Sequence, residues 1–160
     1  MNRRPKCYST IKFSDCDPFG HLYNVRYMDY MFDGREEHVA TEYPLLREAM
    51  QSRSANWVIT ASEIRYLLPA VWGERVSIES SVLRATRNGA SLEIAMSGED
   101  GLKAILWSRL VYIDLDKGTV TSHPAEIQDF LKQVIASIEA RTLDERVRDL
   151  RFAPAENNTT

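Results

Sequence analysis

Cysteine is nearly absent from the chain, with only Cys7 and Cys16, and their spacing forms none of the paired ligand patterns that mark a zinc site. So few thiols also exclude a disulfide-stapled scaffold. No apolar run approaches the roughly 20 residues of a membrane helix, so no membrane partner is expected. An excess of basic charge is missing too: 20 Lys and Arg stand against 23 Asp and Glu, a formal net charge of -3, and no basic run is interleaved with aromatics. Such a chain has little to attract nucleic acid as its main partner. The basic start, Met1 to Lys6, is not followed by the apolar core of a secretory signal, so the expected location is the cytoplasm.

What is present suits one globular core: 160 residues, 44% hydrophobic and 27% charged. Residues 1–140 are expected to form one domain, and residues 141–160 a C-terminal extension, partly helical and then a loose tail. Residues 8 to 14 alternate as a strand does. From about Leu22 to Ala40 the period becomes helical, with Leu22, Val25, Met28, Phe32 and Val39 on one face and Tyr23, Tyr27, Tyr30 and Met31 widening it. A helix apolar around so much of its girth is expected at the centre of the fold. After a polar stretch at 47 to 55, four strands follow as a meander over 57–68, 74–86, 90–96 and 102–115, with Asn88-Gly89 as a tight turn of positive φ. The last strand is apolar on both faces, and one helix covers only one of them. A second subunit is expected on the other. Pro124 opens a helix predicted over 125–140.

Between the first strand and the long helix lies the densest run of reactive groups, "FSDCDPFGHLYNVRY" at residues 13 to 27. If residues 13 to 17 are extended, Asp15 and Asp17 point to one side and Cys16 to the other, away from any obvious base. Pro18 biases Asp17 toward an extended shape, and Gly20 permits a backbone that other residues avoid. A carboxylate held at a turn, facing the free N–H groups of a helix N-terminus, suits acyl transfer: one group attacks or activates water, the other stabilises the oxyanion.

"FSDCDPFGHLYNVRYMDYMFDGREE" resembles the N-terminal signature of hotdog-fold acyl-CoA thioesterases of the 4-hydroxybenzoyl-CoA thioesterase type, with its Asp-x-Asp-x-x-Gly-(His)-x-x-Asn core. "IRYLLPAVWGERVSIES" is similar to the family's second signature, and "VYIDLDKGTVTSHPAEI" to its last strand, turn and Pro-initiated helix. The resemblance spans about residues 8 to 131. It implies an α+β hotdog fold, a five-stranded antiparallel sheet wrapped around a long central helix. It also implies a homodimer or homotetramer with active sites at subunit interfaces. The implied reaction is hydrolysis of an acyl-CoA thioester, with no metal and no organic cofactor.

Carried over by position, Asp17 is the catalytic carboxylate, as nucleophile or as general base for water. Asn24 supplies the N–H that polarises the thioester carbonyl, and Gly20 keeps the turn open. His21 fits the signature as a pocket residue or a structural hydrogen-bonder. Tyr23 replaces a commoner Asn and can reach the acyl pocket. Arg84 and Arg87 flank the hairpin where the family places basic residues against CoA phosphates; the plainer reading is a solvated hairpin end. Asp15 is assigned to the turn, Cys16 to a buried packing role, and His38 and His123 to none. Arg109 needs a partner, and Gly34 inside the helix implies close packing. Two rivals remain, a hotdog enoyl-CoA hydratase or dehydratase, because of "DCDPFGH", and a non-catalytic acyl-CoA sensor or scaffold.

Overall fold

Alternating side chains build the sheet, and one helix fills its concave face. In the structure, a computed structural model that describes residues 1–152, the strands are β1 (Lys6–Thr10), β2 (Ala55–Tyr66), β3 (Arg75–Thr86), β4 (Gly89–Gly98), β5 (Gly101–Asp114) and a short β6 (Thr119–Val120). The helices are α1 (Arg26–Glu42), α2 (Pro44–Met50), α3 (Ala125–Val134) and α4 (Leu143–Phe152). The loose tail expected after them lies outside the described residues. Five antiparallel strands in the order β1-β3-β4-β5-β2 curl around α1, with β6 added to β5. This is the hotdog fold. Val76 and Ile78 of β3 pack with Tyr27, Tyr30 and Met31 of α1, and Val82 meets Val39 farther along.

The expected strands are present, but not as one meander. β2 lies at the far edge beside β5, with Trp57 opposite Tyr112 and Tyr66 opposite Ala104. The segment between β2 and β3 is too long for a tight turn and contains Pro69, which lacks a ladder donor. The β3–β4 turn falls on Arg87 and Asn88, one residue earlier than read from the sequence, and no described non-glycine residue has positive φ. Gly89 serves close approach instead: a Cβ there would lie 2.5 Å from the Leu110 carbonyl oxygen.

The central helix starts at Arg26 rather than Leu22, because earlier backbone groups are committed elsewhere. Leu22 N–H donates to Ala70 O at 2.8 Å and Tyr23 N–H to Asp15 O at 3.0 Å. Its buried face runs through Tyr27, Tyr30, Met31, Gly34, Arg35, His38 and Val39, whereas Val25 is exposed. Gly34 is required by packing, since a Cβ would meet Ile78 Cγ2 at 2.7 Å. α2 occupies part of the stretch read as polar, led by Pro44 at its first turn and anchored by buried Leu46. α3 ends at Val134, short of Ala140, because Ala136 N–H donates to Val82 O at 2.8 Å and Ile135 bridges to the edge of β3.

The outer face of the sheet, where a second subunit is expected, is covered in part by the chain itself. Leu143 and Val147 of α4 pack on Ile105. Arg146 binds Glu93 through two hydrogen bonds of 2.9 Å, and Trp107 Nε1–H donates to the same carboxylate at 2.9 Å. Burial alone would raise the Glu93 pKa; these hydrogen bonds and the Arg146 charge outweigh it and hold it below the ordinary range.

His38 is buried, with Nδ1 2.7 Å from Ser80 Oγ and Nε2 without a partner among the described residues. Burial first, and the Arg35 charge second, lower its pKa to about 4. The unfolded chain therefore binds a proton at this site near pH 6.5 that the folded chain refuses until about pH 4. Stability should be complete above pH 6.5 and fall by on the order of 2 to 3 kcal/mol as pH drops through that window. Thermal melts from pH 7.5 to 4 check this, with His38→Gln showing a flatter dependence; an equal slope in both proteins assigns the acid loss elsewhere.

Candidate active site

The bend after β1 turns tightly rather than running extended. Phe13–Asp15 form a single 3-10 turn, so Asp15 and Asp17 do not share a side. Asp15 Oδ2 accepts the Tyr30 hydroxyl at 2.8 Å, and Arg26 Nε lies 3.8 Å from its other oxygen. That carboxylate ties the turn to α1. Cys16 is half-buried, with Sγ donating to Lys12 O at 3.3 Å. Burial, then the charges of Asp17 and Asp15, raise its thiol pKa and make it a poor nucleophile.

Asp17 is held from several directions. Its Oδ1 accepts Phe19 N–H at 2.9 Å and His21 N–H at 3.0 Å, and its own N–H donates to His21 O at 2.8 Å. The carboxylate is thus both a turn residue and a fixed acid group, because Oδ2 takes no hydrogen bond from the described residues. Gly20 closes the turn at φ +77, with nothing within 4 Å of a Cβ position. Asn24 sits two residues before α1. Its carbonyl accepts the Tyr66 hydroxyl at 2.9 Å, and its N–H donates to no group among the described residues.

These residues meet at an open cleft of about 220 Å³, walled by Asp17, His21, Asn24, Tyr27, Tyr66 and Pro69 among others. Asp17, His21 and Asn24 are therefore brought together, with Gly20 in the adjoining turn. Tyr23 is exposed and does not line the cleft. Arg84 and Arg87 are not part of it: β3 starts near the bend at Arg75, and Arg84 lies roughly 30 Å along the strand at about 3.3 Å per residue. Arg87 Nε donates to Ser122 Oγ at 2.8 Å. Arg84 instead shares a groove of about 490 Å³ with Arg109 and Arg141, none of them within ion-pair distance of a described carboxylate. Arg109 is exposed to solvent there, with no ion-pair partner among the described residues.

Sequence reasoning missed the cleft's second wall. Tyr66 lies inside the quoted "RYLLPA" stretch, a signal that could have found it. Lys103 gave none. Its ammonium is buried, 2.9 Å from Glu74 Oε1, 2.6 Å from Asp100 Oδ1, and donates to Pro69 O at 2.9 Å. Burial pulls its pKa down, but the hydrogen bonds and charges of Asp100 and Glu74 outweigh this and hold it above the ordinary lysine value. The segment 67–74 is pinned as a result, and it receives the site turn: Trp72 N–H donates to Gly20 O at 3.0 Å, and Ala70 N–H to the Tyr27 hydroxyl at 2.9 Å.

Residues 11–134 match the family model described as the thioesterase-like superfamily. Among solved structures, the chain is similar to a 1,4-dihydroxy-2-naphthoyl-CoA thioesterase from Synechocystis, at TM-score 0.71 and 16% identity over 81% of this chain and 96% of that one. It is also similar to a 12:0-ACP thioesterase from Umbellularia californica, at TM-score 0.75 and 15% identity over 89% of this chain and 54% of that one. At these identities the likeness is one of fold. No curated protein matches the chain in sequence.

Removing the buried ammonium leaves Glu74 charged and largely enclosed, so Lys103→Met should cost about 3 kcal/mol or more. Urea denaturation checks this, with Asp129→Asn in an exposed ion pair as the near-neutral control. A loss as small as the control's would remove Lys103 as the anchor of the wall.

Proposed function

The chain belongs to the thioesterase-like superfamily and is a thioester hydrolase, and from that premise we propose that it converts an acyl-CoA to a carboxylic acid and CoA, with Asp17 as the reacting carboxylate. The observation that carries this is the state of Asp17: one oxygen is fixed by two N–H groups while the other takes no hydrogen bond from the described residues, in a cleft also lined by Asn24, whose N–H donates to no described group. As nucleophile, Oδ2 attacks the thioester carbonyl carbon, the C–S bond breaks to release CoA as thiolate, and water hydrolyses the acyl anhydride. As general base, it takes a proton from the water that attacks instead. On either route the carbonyl oxygen gains charge, and the Asn24 N–H stabilises it, a contribution worth about 10² to 10³ in rate at comparable sites. Gly20 and His21 shape the turn.

The reading includes assembly with a second copy. β2 is an edge strand of 12 residues carrying exposed Val58 and Ile59, and a long apolar edge left unpaired is an aggregation hazard. Pairing β2 with its copy removes that edge and places the cleft at a subunit border. It also explains the distant arginines. CoA phosphates suit the Arg84 groove, and Arg87 extends its basic end, if catalytic turn and groove come from different chains.

Asp17→Asn should lower turnover by about 10² to 10⁴ as a lost general base, and by more as a lost nucleophile, without altering the circular dichroism spectrum. Thiol release from aromatic, short and long acyl-CoAs, corrected for the protein's two cysteines, measures it. Near-native turnover in the variant would remove Asp17 from the mechanism, and hydration of an enoyl-CoA without thiol release would favour the hydratase reading.

A further inference from the structure

A second cavity, of about 140 Å³, lies between α1, α2 and the concave face of the sheet. Val39, Leu46, Trp57, Val82 and Leu110 are among its apolar walls, and Arg35 is the one cation that borders it. Arg35 is only 6% exposed. Its Nη1 donates to Ser80 Oγ at 3.3 Å, and its guanidinium carbon lies 5.4 Å from the centre of the Tyr43 ring. No described carboxylate comes within ion-pair distance of it; Glu36 also borders the cavity but is exposed and stands farther off.

A guanidinium does not deprotonate in a protein, and burying one without a counter-ion is costly. It is nevertheless held in place. Ser80 Oγ, which accepts from Arg35, lies 2.7 Å from His38 Nδ1, and the Tyr43 hydroxyl is fixed on Asn2 O at 2.7 Å. The Trp57 wall is fixed as well: its Nε1–H donates to His123 Nε2 at 2.9 Å, and His123 is buried. An apolar chamber with one rigid cation in its wall, opposed only by the exposed Glu36 beyond ion-pair distance, matches an apolar ligand with an anionic end. A cavity of this size accepts roughly a benzene-sized body.

We propose that this cavity binds the far end of the acyl group and that Arg35 selects an acyl group ending in a carboxylate. The inference rests on the thioesterase reading and on the paired β2 edges. Within one chain, α1 rises about 16 Å from Asn24 to Arg35, too far for a short acyl group. Tyr66 of the cleft and Trp57 of the cavity stand toward opposite ends of β2. Antiparallel pairing of two β2 strands brings the Tyr66 end of one copy against the Trp57 end of the other, so cleft and cavity adjoin across the interface. A carboxylate entering there forms a charge-assisted, two-pronged pair with the guanidinium.

The experiment compares kcat/KM for hexanoyl-, octanoyl- and benzoyl-CoA with the counterparts carrying a terminal carboxylate, in wild type, Arg35→Met and Ala90→Leu. Wild type should favour the carboxylate-ended series by at least about tenfold, and Arg35→Met should abolish that preference mainly by slowing that series. Ala90→Leu narrows the chamber while keeping the Arg35 charge and should weaken the carboxylate-ended series even if Arg35→Met does not fold. A preference for methyl-ended substrates in wild type, or one unchanged by both substitutions, overturns the proposal. Calorimetry with suberic and octanoic acids separates the two readings. Binding of suberic acid that depends on Arg35, with no thioester turned over, faults the catalytic reading alone, while suberic acid binding equally to wild type and Arg35→Met faults the cavity.

Discussion

The ammonium of Lys103 is the point on which the candidate site depends. It is buried at one end of β5 and joined to Glu74, Asp100 and the Pro69 carbonyl. Through them it fixes the 67–74 segment, which has no ladder of its own. That segment in turn accepts Leu22 N–H at Ala70 O and donates from Trp72 to Gly20 O. The turn carrying Asp17 is therefore set by a crossing segment more than 40 residues away in the chain. A buried ion pair is poor evidence of net stability, but it specifies one geometry, because each alternative leaves a charge uncompensated.

The same logic governs the inner face of α1. An amphipathic helix ordinarily buries only apolar side chains, yet this one turns Arg35 and His38 onto the sheet, where Ser80 bonds to both. His38 accepts a loss of proton affinity to stay there. Glycine at 34 lets the helix approach Ile78 closely, which carries the neighbouring polar groups deep under the sheet. The outcome is a packed core around Met31 and Ile78 toward the Asp17 end and a chamber with a polar wall toward the other.

On the convex side, α4 closes what the sheet leaves open. Glu93 is nearly buried, and it is satisfied by Arg146 and Trp107 together. Next to this lid the exposed Arg84, Arg109 and Arg141 have no ion-pair partner among the described residues. Residues 138–150 thus cover apolar surface and border a basic groove, beyond the segment 11–134 that the family model matches.

Local pattern was sufficient for much of this. Alternation located the strands to within a few residues, the helical period located α1, and the Asp17 to Asn24 spacing named residues that do share a cleft. Their family signature carried the chemistry, which periodicity alone could not. What the sequence could not determine were the partners of polar groups. His38, Lys103 and Arg35 look like surface residues in a list of residue types, and only the crossing of α1 over β3, or of the 67–74 segment over β5, encloses them. The start of α1 was misread for the same reason: Leu22 continues the helical period, but its N–H is taken by Ala70. Hydrophobic period is a property of neighbouring residues and can be read from them. Burial of a charge and commitment of a backbone N–H depend on segments distant in the chain, so only the tertiary structure decides them.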